Sequence, residues 1–180
     1  FARGEPGDWP GKAGLPSRHY DPAAARAALV EHRAAGREVV RPIAYRPLDD
    51  RFVCVASRVC HRPRPELLAA MDRSELALLT VRKDRGERAW AHFGVTRHAV
   101  DNCWLSSRSS CRTRAFPTHR PDGAPNVRPA AARAFLGFEP SPGALVRYAL
   151  AVLAAPTSRA RQDDALRADS PRRPPPADRA

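Results

Sequence analysis

The pattern of apolar and charged positions predicts one clear β-hairpin in the first third of the chain. An apolar run at 39–45 ends in an arginine and a proline, and an acidic pair precedes a second apolar run at 51–56. Because proline lacks an amide donor, Pro42 and Pro47 predict an edge strand, or a strand that ends at Pro47. Residues 47–50 then predict the turn of the hairpin.

Apolar runs and charged turns continue to alternate through the centre of the chain. Residues 75–81 form a near-continuous apolar run bounded by charges, which predicts a strand buried on both faces. A charged turn around Gly86 follows this run. Further strands are predicted at 89–96 and 99–106, and a short helix is predicted at 66–71.

Helices are predicted before and after this β-rich centre. Asp21 followed by Pro22 is a typical helix start, with the aspartate as N-cap and the proline at the first helical position. Gly36 is a typical C-terminal cap. Three more N-caps are predicted in the last third of the chain, at Asn126, Ser141 and Thr157.

Together these elements predict an α/β (mixed α+β) fold with a central mixed or antiparallel sheet, flanking helices and a C-terminal helical segment. The expected division is a linker and N-terminal helix at 1–38, a β-rich core at 39–125, a helical segment at 126–170 and a disordered tail at 171–180. The chain has 180 residues, which fits one domain, and it starts without Met, which suggests a piece of a longer polypeptide.

The net charge of +12 predicts a polyanionic partner. Nearly all of the cations are arginines, and arginine suits bidentate contact with phosphate and with guanine edges. A simpler cause stays open, because Ala, Arg and Pro are enriched together, as a GC-rich genome would produce. The chain has no apolar run of about 18 residues and no apolar signal segment, so we expect no membrane span and a cytoplasmic location.

The cysteines predict reduced, buried thiols rather than a metal site. They stand at positions 54, 60, 103 and 111, and no two of them form a CxxC pair. A zinc site built from Cys54, Cys60, His61 and Cys103 is the alternative, but its spacing differs from that of the usual zinc motifs.

Catalytic motifs are absent from the sequence. It contains no GxxxxGK[ST] phosphate loop, no glycine-rich loop for S-adenosylmethionine and no adenine-pocket motif. A metal-dependent nuclease could use Asp49, Asp50 and Glu66 with Lys83, since cleavage of this kind needs carboxylates that converge on one ion. The usual carboxylate-x-Lys element is missing, however. We therefore predict a binding role, without catalytic residues and without a metal.

The candidate nucleic-acid-binding residues lie at predicted strand ends and in loops, where serine and threonine can also donate to phosphate oxygens. They are Arg82, Lys83, Arg85, Arg97, His98, Arg108, Arg112 and Arg114. Any one of them taken alone is more simply a solvated surface charge. For Arg46, Asp49 and Arg51 we expect a structural role instead, as an ion-paired turn that fixes the hairpin.

Several short segments carry a family resemblance, and they occur in order over residues 39–174. They are YRPLDDR at 45–51, RPRPE at 62–66, LLTVR at 78–82, VTRH at 95–98 with the following Asp101 and CWLS at 103–106, AFP at 115–117, and YALAVLAAP at 148–156. Together they resemble the C-terminal specificity (target-recognition) domain of Type ISP restriction–modification enzymes.

The resemblance implies a large host-defence enzyme that joins a nuclease, a helicase-like translocase, an N6-adenine methyltransferase and this domain in one polypeptide. S-adenosylmethionine, ATP and Mg²⁺ are implied for that parent enzyme, and no cofactor is implied for this chain. The implied partners are double-stranded DNA and the methyltransferase domain. The implied function is DNA target recognition that directs adenine methylation and cleavage by other domains.

Two alternatives remain open at this stage. The closing segment departs from the family pattern, since DFPRIP is replaced by Asp169-Ser170-Pro171-Arg172-Arg173-Pro174. A scaffold remnant that braces a methyltransferase without reading DNA would fit such a departure. A small metal-dependent nuclease is the second alternative, and the missing motifs argue against it.

Overall fold

A computed structural model shows a mixed α/β fold, which confirms the predicted fold class. It describes residues 21–56, 58–60, 64–84, 89–106 and 112–169. Within these residues the helices are α1 (Pro22–Ala34), α2 (Pro65–Asp72), α3 (Pro129–Leu136), α4 (Pro142–Ala154), α5 (Pro156–Arg161) and α6 (Asp163–Ala168). The strands are β1 (Val40–Arg46), β2 (Asp49–Cys54), β3 (Ala77–Val81), β4 (Phe93–Thr96), β5 (Ala99–Val100) and β6 (Thr113–Pro117).

The chain divides into two compact units. Of the described residues, those in 21–42 and 52–64 belong to the first unit, and those in 43–51 and 65–169 belong to the second. In the described part of the chain, no helix combines the length and the apolar character that crossing a membrane requires.

Helix α1 dominates the first unit, and its start confirms the predicted N-cap. The Asp21 Oδ1 accepts hydrogen bonds from the backbone amides of Ala23 and Ala24, at 2.9 and 3.1 Å. These bonds satisfy two of the amides that every helix leaves unpaired at its start. Just beyond the C-terminal end, Gly36 has a φ of +62°, which glycine adopts without steric cost.

The predicted hairpin is present, but its turn is tighter than expected. The turn consists of Pro47 and Leu48, and the returning strand begins at Asp49 rather than at Arg51. Leu48 has a φ of 64°, which places it in the left-handed region. A proline followed by a positive φ is the signature of a type II turn, and this geometry closes the hairpin in two residues.

The hairpin belongs to a three-stranded sheet with the order β2-β1-β5. Strand β5 pairs with β1 in parallel, so that Ile43 lies opposite Ala99 and Ala44 opposite Val100. The prediction of a strand over 99–106 was wrong after Val100. The chain turns at Asp101 because its Oδ1 accepts the backbone amide of Cys103, a local bond that competes with strand pairing.

The second sheet is antiparallel, with β3 at its centre and the order β4-β3-β6. Leu78 in β3 lies opposite Val95 in β4 and Phe116 in β6. Four of the five residues of β3 are buried, as its apolar run predicts, and Leu79 and Val81 are completely inaccessible.

The helices α3 to α6 follow this sheet, and only one of the three predicted caps in the region is correct. The Ser141 Oγ accepts the Ala144 amide at 3.2 Å and caps α4 as predicted. Asn126 instead donates from its side-chain amide to the Pro117 carbonyl, and α3 begins later. Thr157 lies inside α5, whose first residue is Pro156.

The core of the second unit forms where α4 and α6 meet the antiparallel sheet. Trp90, Leu153 and Leu166 are each about 1% exposed and pack together, and Leu78 and Phe93 pack against them. The Trp90 and Phe93 rings stack with their centroids 6.0 Å apart. This core packs against β3, and two of the predicted binding residues, Arg82 and Lys83, follow the last residue of that strand.

Candidate nucleic-acid interface

Four of the predicted binding residues meet at one end of the antiparallel sheet. Arg82 and Lys83 follow the last residue of β3, and Arg112 and Arg114 flank the first residue of β6. The register places Val81 opposite Thr113, so these two strand ends adjoin. All four side chains are exposed. We call this set of Arg82, Lys83, Arg112 and Arg114 the basic rim.

The β6 side of the basic rim is held by the turn that follows β5. The Arg112 Nη1 donates to the Asn102 Oδ1 at 2.9 Å and lies 3.4 Å from the Cys103 Sγ. The Thr113 amide donates to the Asn102 carbonyl at 2.8 Å, and its Oγ1 accepts the Leu105 amide at 2.9 Å. The Asn102 side chain therefore orients the Arg112 guanidinium group, and the bonds of Thr113 hold the start of β6 against this turn. Arg112 remains exposed.

The β3 side of the basic rim is held by a buried carboxylate. Asp84 follows Lys83, and its side chain is only 3% exposed. Its Oδ2 lies 3.7 Å from the Arg167 Nη1 and 3.4 Å from the His92 Nδ1. The Asp84 amide also donates to the Arg167 carbonyl in α6, at 3.1 Å. Helix α6 thus holds the segment that carries Arg82 and Lys83.

Arg167 is itself positioned by Asp163, one turn earlier on α6. The Asp163 Oδ2 accepts from the Arg167 Nε at 2.6 Å, and its Oδ1 accepts the Trp90 amide at 3.1 Å. The Arg167 guanidinium, and after it the Trp90 amide, hold the pKa of Asp163 below its ordinary value of 3.8. Asp163 in turn raises the pKa of Arg167. Both ends of the connection between β3 and β4 are therefore tied to α6.

Arg97 and His98 lie at the opposite end of the same sheet. They follow the last residue of β4, Thr96, which pairs with Ala77 at the start of β3. Because β3 has five residues at about 3.3 Å each, the two ends are roughly 13 Å apart. The Thr96 Oγ1 accepts the His98 amide and donates to the His98 carbonyl, which fixes this tight turn. The structure therefore separates these two residues from the basic rim.

Two further predicted binding residues, Arg85 and Arg108, lie outside the described residues, as do His61 and Cys111. Among the cysteines that are described, Cys54, Cys60 and Cys103 form no disulfide. All three are half-buried, and burial raises the pKa of the Cys60 thiol. Over the described ranges, no three histidine, cysteine, aspartate or glutamate side chains lie close enough to hold a metal ion.

The three residues with a predicted structural role form two separate ion pairs at the hairpin. The Arg51 Nη2 lies 2.9 Å from the Asp49 Oδ2, and this bond lowers the pKa of Asp49. Arg46 pairs with Asp101 beyond β5, with 2.8 Å between its Nη1 and the aspartate Oδ1. Both guanidinium groups lie over the Tyr45 ring, 4.0 and 4.1 Å from its centroid.

Sequence reasoning missed the two residues that hold the basic rim from behind, Asp84 and Arg167. Asp84 stands in the charged run RKDRGER, which has the composition of a solvated turn. A signal was nevertheless present in the last helix, where Asp163 and Arg167 stand four residues apart, a spacing that pairs side chains on one helix face. The burial of Asp84 itself depends on a contact between segments far apart in the sequence.

A groove of about 530 Å³ lies between the antiparallel sheet and the helices α3 and α4. Its lining is mostly apolar and includes Leu78, Phe116, Val127, Leu145 and Val146. Its polar lining residues are Thr80, Thr118, Asn126 and Glu139, and Asn126 already donates to the Pro117 carbonyl. A mostly apolar groove does not suit the polyanionic partner that the net charge predicts, so the charged part of this unit is the better candidate for a functional surface.

Comparison with known proteins gives one match. A family model described as the Type ISP C-terminal specificity domain matches residues 16–180, which is nearly the whole chain. No curated protein and no solved structure matches it.

Proposed function

Because the chain belongs to the family of Type ISP C-terminal specificity domains, with a target-recognition role in a restriction enzyme, we propose that it binds duplex DNA through the basic rim. In this proposal the chain reads the target and directs adenine methylation and cleavage, which other domains of the same polypeptide catalyse. Its partners are DNA and the methyltransferase domain, and it acts in the cytoplasm.

The observation that carries the proposal is the convergence of four exposed cations on adjoining strand ends. Cations that lie close together on one rim can neutralise several DNA phosphates at once. Each neutralised phosphate releases condensed counterions, which favours binding. Of the two acidic groups close to the rim, Asp84 is buried, whereas Asp169 is half-exposed and its Oδ1 lies 3.9 Å from the Arg82 Nε. Four exposed cations beside one half-exposed carboxylate leave the rim with an excess of positive charge.

The two sides of the rim suit different contacts. Arg112 is oriented by Asn102, and a preorganised guanidinium group can donate two parallel bonds to guanine O6 and N7. Lys83 carries a compact charge on a flexible stem, which suits a phosphate without fixing a base. We therefore assign base reading to Arg112 and backbone contact to Lys83.

The helical part of the chain braces the reading part in this proposal. Helix α6 holds Asp84 through Arg167, so we assign recognition to 39–125 and support to 126–170. In this proposal S-adenosylmethionine, ATP and Mg²⁺ are held by other domains of the enzyme.

The test is DNA binding by purified chains carrying single substitutions. Arg112→Ala should weaken binding to the preferred duplex by about 1–3 kcal/mol and relax the preference at one base pair. Lys83→Ala should weaken binding to every duplex alike. Fluorescence anisotropy with a randomised duplex library measures both effects.

Arg147→Ala is the matched control, because it removes the same charge from an exposed arginine on α4 that pairs with Glu75. It should leave DNA binding close to that of the unsubstituted chain. Equal losses of DNA affinity for Arg147→Ala and Arg112→Ala would show that the rim contributes no more than the rest of the basic surface. No binding by the unsubstituted chain even at low salt would leave the scaffold alternative.

A further inference from the structure

The tip of the hairpin combines two unfavourable features in one residue. Leu48 has a positive φ of 64°, and among the described residues it is the only one other than glycine to do so. Its side chain is also fully exposed to solvent. Glycine or asparagine would occupy this turn position with less strain.

The segment that presents Leu48 is firmly braced. The guanidinium carbons of Arg46 and Arg51 lie 4.0 and 4.1 Å from the centroid of the Tyr45 ring. Arg46 is anchored to Asp101 and Arg51 to Asp49, with distances of 2.8 and 2.9 Å. Such bracing lowers the entropy lost when an exposed side chain is immobilised by a partner.

The charge around the tip distinguishes a protein partner from DNA. Residues 45–51 contain two arginines and two aspartates, and Asp101 adds one more negative charge beside Arg46. This surface therefore has no excess of positive charge with which to attract phosphates, in contrast to the basic rim. A fully exposed leucine on a charge-balanced, ion-paired turn suits an apolar pocket on a protein surface, where burying its side chain is favourable.

We propose that the hairpin tip, Pro47 and Leu48, docks into an apolar pocket on the remainder of the enzyme polypeptide. The inference rests on the proposed function in one respect, namely that the chain works as a domain of a larger enzyme. It adds a division of surfaces: the basic rim faces DNA, and the hairpin tip faces the neighbouring protein.

The first test uses Leu48→Asn in the chain alone. Asparagine tolerates the left-handed conformation and is polar, so the thermal midpoint should rise by about 2–4 °C. DNA affinity should be unchanged, because the basic rim is intact. A lower thermal midpoint would show that Leu48 stabilises the chain itself, and that result would overturn the proposal.

The second test uses the complete enzyme polypeptide with a photo-crosslinking amino acid incorporated at position 48. After irradiation with and without duplex DNA, mass spectrometry should find peptides from outside residues 1–180 joined to the tip. Position 30 is the matched control, since Val30 is also exposed but lies on a regular helix. Crosslinks from position 48 only to DNA, only within the chain, or at the level of position 30 would overturn the proposal.

The two proposals fail in distinguishable ways. If the unsubstituted chain does not bind DNA while position 48 still crosslinks to the rest of the enzyme, the DNA-binding proposal fails and the docking proposal stands. If the chain binds DNA but position 48 does not crosslink to the rest of the enzyme, only the docking proposal fails.

Discussion

At the scale of single residues, Gly94 is required by close packing against an aromatic ring. An added Cβ at Gly94, in β4, would lie 2.6 Å from two carbons of the Trp104 ring. That distance is far shorter than an ordinary contact between carbon atoms, which is about 3.5–4.0 Å. The indole of Trp104 therefore packs on a surface that only glycine leaves open, and it links the turn after β5 to the antiparallel sheet.

We predict that Gly94→Ala destabilises the chain by about 1–3 kcal/mol, because the ring must shift within a packed site. Denaturant unfolding followed by tryptophan fluorescence measures the effect. Gly123→Ala is a useful comparison, since a Cβ there meets nothing within 4 Å and any cost comes from its φ of +84°. A cost for Gly94→Ala no larger than zero would mean that the Trp104 ring is not held in this position.

Residue-scale prediction from sequence succeeded where the interaction is local. Asp21 and Ser141 cap helices as expected, because an N-cap bonds amides two or three residues ahead. It failed for Asn126, which has the same capping chemistry but donates to Pro117 across a turn. It also failed for Asp84, whose partner Arg167 comes from the far end of the described chain. Sequence patterns contain little information about such distant partners.

At the scale of elements, helix α6 controls the connection between β3 and β4. Asp163 accepts from Trp90 at one end of this connection, and Arg167 contacts Asp84 at the other. The apolar run at 75–81 was enough to predict the strand β3. The alternation of such apolar runs with charged turns along the centre of the chain was enough to predict a sheet. The dependence of this connection on α6 could not be predicted, because the polar composition of α6 is that of a solvated helix.

The link through Asp163 predicts a pH dependence of stability. Because its pKa is lower in the folded chain than its ordinary value of 3.8, Asp163 contributes stability that is fully present above that value. This contribution is lost as the pH falls through the folded pKa. We therefore expect Asp163→Asn to lower the free energy of unfolding at pH 7, and the difference from the unsubstituted chain to shrink below about pH 4.

Urea unfolding between pH 3 and pH 7 measures this difference. Asp122→Asn is a suitable control, because Asp122 is exposed and pairs with Arg120 outside the α6 contacts. A difference for Asp163→Asn that stays constant with pH would contradict the role given to the ionised carboxylate.

At the scale of the whole molecule, the net charge of +12 and the basic rim make different predictions about salt. Affinity for B-DNA falls with log salt with a slope of about −0.9 for each phosphate that is neutralised. If the four rim cations supply the contacts, the slope should be about −4. If all of the net positive charge neutralises phosphates, the slope should approach about −11.

Anisotropy titrations between about 50 and 200 mM salt separate the two slopes. Removing one rim cation should then reduce the magnitude of the slope by about one. A steep slope that no rim substitution changes would show that binding is spread over the surface, as the overall arginine enrichment alone would produce.

The parallel pairing of β5 with β1 has a consequence for how the chain folds during synthesis. The edge of β1 at residues 43 and 44 can pair with β5 only after residues 99 and 100 have been synthesised. While the ribosome makes the intervening segment, that edge remains an open template for strand addition by other chains. Pro42 lies next to this unpaired edge and has no amide hydrogen to donate to a neighbouring strand. It therefore gives the nascent chain some protection against aggregation.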